Sequence, residues 1–295
     1  SDTDQRTEIM TINATPRELL LHLQSVVGSL PCEYAEARVA LNESTGIALS
    51  GDEVDSISSG DSCGGSIRIF NRGAWSFASF NDLSGIPSRA GALLRRSAML
   101  AGTAPGIFRS KPVVAHFATR PARACGLVSF DEKFGLMRRY NGILKKPSLV
   151  QTTRSMYRDS RTFKLYCNTE GTAVSYERSF CGVSFTAIAK DGSLIQPFSE
   201  SAAGFGGFEL AQGREEMAER AAGMAVDLLH AEPVPGGTYD VVIDPHLAGV
   251  FIHEAFGHLS EADFIYENDR MKELMANGRR VGGESLCIID DGSLE

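Results

Sequence analysis

The chain has 295 residues, of which 43% are hydrophobic and 22% are charged, a composition typical of a globular protein. Its 37 acidic and 29 basic residues give a net charge of −8. This charge and the lack of a basic stripe exclude a nucleic-acid-binding protein, which would neutralise phosphates with lysine and arginine.

Cysteine usage and hydropathy predict a cytoplasmic protein that does not enter a membrane. The six cysteines are scattered and form no C-x-x-C pair, so we expect reduced thiols. No apolar run approaches the roughly 18 residues needed to cross a bilayer. Residues 1–10 are polar and lack the pattern of a signal peptide.

The first predicted element is a helix that begins after Thr15 and ends at Gly28. Thr15 and Glu18 match a capping box, and Pro16 suits the first turn. The apolar residues that follow recur at spacings of three and four, so one face of the helix is expected to pack against a core.

A hairpin is predicted next, from two strand-like segments, 66–70 and 74–80, that flank Asn71-Arg72-Gly73. Trp75 and Phe77 are expected on its core face. Three segments complete this region: a strand over 35–41, a helix over 88–100 and a break at the glycine- and proline-containing residues 102–106.

The second region is rich in predicted strands. Apolar and polar residues alternate around 163–167 and 174–176, and Lys190-Asp191-Gly192 is a turn pattern between 180–189 and 193–198. An antiparallel meander is therefore expected. Its other elements are a strand over 113–117, a helix capped by Ser129 with Glu132, and a helix over 215–230.

A third region follows the linker at 232–237, with a predicted strand at 239–243 and an N-cap at Asp244 before Pro245. The predicted fold class is α+β: an N-terminal helix with a mixed or antiparallel sheet, a strand-rich middle region, then a strand and a buried helix. The predicted domains are 1–104, 105–231 and 232–295.

The helix of the third region carries the candidate chemistry. Residues 247–259 are almost entirely apolar except for His253, Glu254 and His258, so the helix is expected to be buried. Buried polar groups need partners. Two imidazoles can hold a divalent metal, and the adjacent carboxylate can take a proton from metal-bound water, as in the H-E-x-x-H zinc peptidases.

The spacing here is one residue longer, H-E-x-x-x-H. On a regular helix, residues five apart project about 140° from one another, so His253 and His258 could not share a metal. A single π-turn would bring the two side chains together, and Gly257 would ease the distortion. The sequence therefore predicts a local irregularity between the two histidines.

Two alternatives remain open for these residues. His253 and His258 could be ordinary core histidines hydrogen-bonded to the backbone or to carboxylates. On an undistorted helix, Glu254, His258 and Glu261 would share one face and form a carboxylate-rich site instead.

The sequence resembles the TldD/PmbA family of metallopeptidases, and in particular its TldD-type subunit. The resemblance lies in Trp75-Ser76-Phe77-Ala78, the strand-rich middle, Gly204-Phe205-Gly206-Gly207 and the block from His253 to Phe264. It implies a zinc-type site with His253 and His258 as metal ligands and Glu254 as general base. It also implies small or unfolded peptides as substrates, and a homodimer or a heterodimer with a PmbA-type subunit.

The resemblance further implies a third ligand, a cysteine in a long carboxy-terminal domain of which this chain has only the beginning. Cys287 lies in a strand-like segment, 285–289, and is expected to be a core residue rather than that ligand. With two histidines alone, the fragment is expected to hold metal poorly, since zinc sites usually have three protein ligands.

Three further motifs are weaker candidates. The glycines of 204–207 lack the strand-to-helix setting of a dinucleotide loop, so a turn or a substrate-passage loop is expected there. Cys63, in the glycine-containing segment 61–65, has no histidine nearby in sequence, which favours a flexible loop over a nucleophile. His246 lies near the start of the predicted helix, where a histidine is usually solvated or capping.

Two other functions compete with a peptidase. One is a non-catalytic partner subunit, in which the histidines and Glu254 satisfy one another and strand edges capture extended peptides. The other is a metal-dependent amidase or related hydrolase that acts on a non-peptide substrate.

Overall fold

A computed structural model of the chain describes residues 15–100, 102 and 106–291. The described residues fall into two compact units, which divide between Glu232 and Pro233. None of the helices within the described ranges is long and apolar enough to cross a bilayer.

Within its described residues, the first unit has one seven-stranded sheet, and helices separate groups of consecutive strands along the chain. The strands are β1 (Tyr34–Ser50), β2 (Glu53–Asn71), β3 (Ala74–Phe80), β4 (Val114–Ala118), β5 (Val150–Asn168), β6 (Ala173–Asp191) and β7 (Leu194–Phe205). The helices are α1 (Pro16–Gly28), α2 (Ile86–Ala98), α3 (Phe130–Leu144) and α4 (Glu215–Leu228). The predicted α+β class is confirmed.

The sheet has the order β3-β2-β1-β5-β6-β4, and β7 also pairs with β6. All neighbours are antiparallel except β4, which runs parallel to β6. Because β1 pairs with β5, one sheet spans the predicted boundary near residue 104. The division of the sequence at 104 and 231 stays a prediction.

Local signals fixed several elements as predicted. Thr15 accepts a hydrogen bond from the amide of Glu18 at 3.3 Å, and the Glu18 carboxylate accepts one from the amide of Thr15 at 2.8 Å, which completes the capping box of α1. Ser129 caps α3 through the amide of Glu132 at 3.2 Å. The hairpins at Asn71–Ala74 and Asp191–Leu194 are also confirmed.

Two hydrophobic clusters lie on one face of the sheet. In the first, α1 and α2 contribute Leu23 and Ile86 against Ile67, Ile69 and Leu165. In the second, α3 and α4 cover β5 and β6, with Tyr140, Phe185 and Phe208 fully buried. Burial of each such side chain contributes about 1.5–3 kcal/mol, so these clusters hold the helices on that face.

Two predictions about the first unit were wrong. Trp75 and Phe77 are 40% and 58% exposed, because Ser76 and Phe80 occupy the core face of β3. Trp75 instead packs under the guanidinium of Arg68, 4.3 Å from its ring centre. Cys63 lies within β2 opposite Leu41 rather than in a loop, since the glycine-rich segment pairs along its whole length with β1.

The second unit has short helices, α5 (Pro245–Ile252), α6 (Ala262–Glu267) and α7 (Asp269–Leu274), and no strand among its described residues, 233–291. The strands predicted at 239–243 and 285–289 are therefore wrong. A strand needs a neighbour to satisfy its backbone groups, and no described segment pairs with either one. Val242 is fully exposed, and Cys287 is exposed and therefore not a core residue.

Candidate metal centre

The motif helix begins as the sequence predicts. Asp244 is the N-cap of α5, where its carboxylate accepts a hydrogen bond from the amide of Leu247 at 2.7 Å, and Pro245 occupies the first turn. This cap fixes the start of a helix that leads into His253 eight residues later.

The predicted burial of this helix is wrong. α5 has no buried residue, and Leu247 and Phe251 are 56% and 57% exposed. An apolar helix is buried only where a second surface covers it, and the short helices of the described residues 233–291 supply no such surface. His253, Glu254 and His258 are also exposed.

Residues His253–Gly257 form a π-helical turn, which we call the π-turn. The amide of His258 donates to the carbonyl of His253, so the hydrogen bond closes over five residues instead of four. The irregularity predicted from the H-E-x-x-x-H spacing is confirmed. The two imidazole rings lie 4.6 Å apart between centroids at an angle of 70°, whereas a regular helix would point them apart.

The π-turn brings three potential metal ligands together. His253, Glu254 and His258 each offer one ligand atom, and these atoms all lie within 4.8 Å of one another. Nε2 of His258 is 3.7 Å from Oε2 of Glu254. Zinc binds imidazole nitrogen at about 2.0–2.1 Å, so two nitrogens on one ion lie at most about 4 Å apart. The donor set, two imidazoles and a carboxylate gathered within 4.8 Å, suits a divalent metal of the zinc type; the two nitrogens would lie within the limit of about 4 Å once they hold the ion.

Glu261 fixes the orientation of one of these imidazoles. Its Oε1 lies 2.5 Å from Nδ1 of His258. This hydrogen bond raises the pKa of His258, and the negative charges of Glu261 and Glu254 act in the same direction. With Nδ1 engaged, Nε2 is the nitrogen left to bind a metal, as in carboxylate–histidine–zinc arrangements.

Gly257 has ordinary helical geometry, with φ −56° and ψ −54°. A Cβ atom there would lie 3.7 Å from Nδ1 of His253, which is normal van der Waals contact. The π-turn therefore does not require the conformational freedom of glycine, contrary to the role expected for this residue.

The remaining candidates stand apart from this group. His246 lies in the first turn of α5 and is not among the three grouped residues, and neither is Cys287. Of the residues 204–207, Gly204 and Phe205 lie in β7, and only Gly206 and Gly207 form a connection, between β7 and the short 3-10 helix Phe208–Leu210. A Cβ at Gly207 would overlap the carbonyl of Arg123, so this glycine serves close backbone packing.

Sequence reasoning missed one buried polar network in the first unit. Nζ of Lys133 lies 2.6 Å from Oδ2 of Asp159, which also accepts a hydrogen bond from the hydroxyl of Tyr157 at 2.5 Å. The sequence of α3 contained a sign of this network, because Lys133 lies on the same buried face of the helix as Met137, Tyr140 and Leu144. A lysine on such a stripe requires a buried partner.

Three sequence profiles of one family match the chain in order. They are the PmbA/TldA metallopeptidase domain 1 over residues 35–101, the central domain over 125–229 and the C-terminal domain over 236–295.

Relatives and a solved structure agree with these matches. A metalloprotease of Synechocystis is 34% identical over 96% of this chain and 60% of its own length. A zinc metalloprotease TldD homolog of Saccharolobus solfataricus is 28% identical over 45% of this chain and 30% of its own. A Bacteroides thetaiotaomicron protein described as a candidate modulator of DNA gyrase has a similar fold, with TM-score 0.67, 14% identity, and coverage of 82% of this chain and 56% of that one.

The chain has a mixed α and β fold, and three consecutive PmbA/TldA metallopeptidase profiles match its sequence. The chain belongs to the PmbA/TldD metallopeptidase family. It spans about 60% of the length of the first curated relatives it matches.

Proposed function

We propose that the π-turn carries part of the zinc site of a TldD-type peptidase that acts on small or unfolded peptides. The observation that supports this most directly is the convergence of His253, Glu254 and His258 within 4.8 Å by means of a π-turn. A helix that departs from its regular hydrogen-bond pattern at one turn, and thereby gathers ligands, is a common mark of a functional site.

The roles of the three side chains follow from their chemistry. His253 and His258 would hold the metal through neutral imidazole nitrogens, and Glu261 would fix the tautomer of His258 by accepting from Nδ1. When bound, zinc supplies a Lewis acid and lowers the pKa of a water molecule. Glu254 would accept the proton of the attacking water, since its carboxylate lies within 4.8 Å of a nitrogen of each imidazole.

Two imidazoles are fewer than the three protein ligands of an ordinary catalytic zinc site. The proposal therefore includes a third protein ligand from elsewhere in the polypeptide. It also includes assembly as a homodimer or with a PmbA-type subunit, and the division of residues 1–104, 105–231 and 232–295 into three domains.

The test is peptide hydrolysis by the full-length polypeptide, with and without a chelator. Glu254→Gln keeps the size and polarity of the side chain but removes the base, so turnover should fall by a factor on the order of 100 or more. Glu273→Gln, an exposed carboxylate in the same unit, is the matched control and should retain activity. Hydrolysis that persists in chelator and in Glu254→Gln would contradict the proposal, and activity confined to non-peptide amides would reassign the substrate.

A further inference from the structure

A cavity of about 780 Å³ lies on the first unit, on the sheet face opposite to both hydrophobic clusters. Side chains alternate between the two faces of a strand. Val39 and Leu165 belong to a buried cluster, so their neighbours Arg38, Lys164 and Tyr166 point to the other face, which we call the open face. The cavity has the volume of an ordinary ligand site.

The described charged side chains that line this cavity are all positive. Arg38, Lys111 and Lys164 line it, and no aspartate or glutamate occurs among its described lining residues. Arg38 is partly compensated, since its Nη2 lies 3.3 Å from Oε1 of the buried Glu36. Lys111 and Lys164 form no ion pair within the described part of the chain, so two positive charges in a concave surface are left to attract an anion.

Aromatic rings hold two of these cations in place. The guanidinium of Arg38 lies 5.2 Å from the ring centre of Tyr166, and Nζ of Lys164 lies 5.6 Å from that of Tyr176. Tyr166 is itself fixed, because its hydroxyl donates to Glu36 at 3.2 Å. Cations positioned in advance lose less conformational entropy when a ligand binds.

Contacts between cations and aromatic rings continue beyond the cavity on the same face of the sheet. Arg178 lies 5.3 Å from the ring centre of Tyr176 and 4.5 Å from that of Phe205. Its register partner on β5, Thr162, lies two residues from Lys164 and therefore on the same face. Cations alternating with rings would suit an extended ligand that carries several separate carboxylates.

We propose that the cavity binds the carboxylates of acidic, extended peptide segments, so that this peptidase selects acidic unfolded peptides. The inference rests on the proposed function for its choice of a peptide as the anion. Lys111 and Lys164 are the residues that recognise the carboxylates, and Tyr166 and Tyr176 supply the apolar wall against which the peptide chain packs.

The test is fluorescence anisotropy with a fluorescein-labelled Asp-Gly repeat hexapeptide and its uncharged Asn-Gly counterpart. The protein is the full-length polypeptide carrying Glu254→Gln, in chelator, so that neither metal binding nor hydrolysis affects the result. We expect the acidic peptide to bind at least about tenfold more tightly than the neutral one, with an affinity that falls as salt is raised.

Charge reversal then assigns the site. The double variant Lys111→Glu with Lys164→Glu should bind the acidic peptide at least about tenfold more weakly than the protein without these substitutions. Lys164→Arg keeps the charge, so its affinity for the acidic peptide should stay within about threefold. Lys190→Glu, an exposed lysine in the β6–β7 hairpin outside the cavity, is the matched control. Circular dichroism checks that each variant is folded.

Three results would overturn the inference: equal binding of the acidic and neutral peptides, an equal effect of Lys190→Glu and the double reversal, or displacement of the peptide by an equal concentration of inorganic phosphate. A failure of hydrolysis or of metal binding would leave these binding measurements intact. The two proposals can therefore fail separately.

Discussion

The amide of His258 donates its hydrogen bond to the carbonyl of His253, five residues earlier, and this one bond sets the geometry of the candidate metal centre. It places the two imidazole rings 4.6 Å apart, with Glu254 beside them. A regular helix would separate the same side chains by about 140°. With the H-E-x-x-x-H spacing, the two histidines can therefore reach one metal ion only if the helix contains the π-turn.

Glu261→Gln should weaken zinc binding without abolishing it. The amide of glutamine can still approach Nδ1 of His258, but it lacks the charge that stabilises the donor, and loss of such an orienting carboxylate typically costs about 10–100-fold in metal affinity. Competition with a chromophoric chelator measures this affinity directly. Glu267→Gln, in α6, is the control, and an unchanged affinity in Glu261→Gln would show that the 2.5 Å contact with His258 does not support the ligand.

Two glycine substitutions should behave in opposite ways. Gly257→Ala should leave zinc affinity within about threefold, because this residue has helical dihedrals, which alanine favours, and its Cβ would make normal contact with His253. Gly207→Ala should destabilise the first unit, because its Cβ would overlap the carbonyl of Arg123. Thermal unfolding and zinc titration of both variants test this pair, and a destabilised, zinc-free Gly257→Ala would contradict it.

Because of the hydrogen bonds to Glu209, we expect the free energy of unfolding to depend on pH. Burial acts to raise its pKa, but the amides of Gly207, Arg123 and Ala122 donate to its carboxylate and outweigh burial, so the pKa lies below its usual range. A lowered folded-state pKa stabilises the protein above the ordinary glutamate value of about 4.3, and this contribution is lost as pH falls below that value.

Glu209→Gln should therefore reduce the free energy of unfolding by about 1–3 kcal/mol at pH 7, the scale of hydrogen bonds to a charged group, and by less at pH 3. Urea denaturation at both pH values provides the measurement. The exposed Glu216→Gln in α4 is the control. The same difference at pH 3 and pH 7 would rule out this role for the carboxylate.

The buried pair of Lys133 and Asp159 predicts a strong asymmetry between single and double substitutions. Their side chains are only 6% and 9% exposed, so Lys133→Met leaves a buried carboxylate without its cation and should cost about 3–5 kcal/mol. Replacing both, as Lys133→Met with Asp159→Leu, should recover much of this loss. Denaturant unfolding of the two variants tests the pairing, and equal stabilities of the single and double variants would refute it.

The sequence predicted the elements that local signals determine. Thr15 with Glu18, Asp244 with Pro245, and the turns at 71–73 and 190–192 each act over a few residues, and so does the spacing that predicts the π-turn. It could not predict pairing at long range. The glycine-containing segment 61–65 is expected from its sequence to be a flexible loop, yet it forms part of β2 because β1 supplies hydrogen-bond partners along its length.

The sequence also could not predict which apolar side chains are buried. The apolar pattern of α5 correctly indicates a helix, but exposure depends on which surface covers it, and Leu247 and Phe251 are exposed here. The outward position of Trp75 likewise depends on contacts with Arg68 and Phe70, which lie on a neighbouring strand. For the candidate site, the pattern identified the three side chains, and the structure added the contact between Glu261 and His258.

The most direct test of the metal centre is a zinc titration of the full-length polypeptide and its histidine variants by calorimetry. We expect stoichiometric binding by the wild type and a loss on the order of 100-fold or more in affinity for His253→Ala and for His258→Ala, because each removes a ligand. His246→Ala, seven residues before the π-turn, should bind zinc like the wild type. A wild type that binds no zinc, or a His253→Ala variant that binds it equally well, would contradict the account.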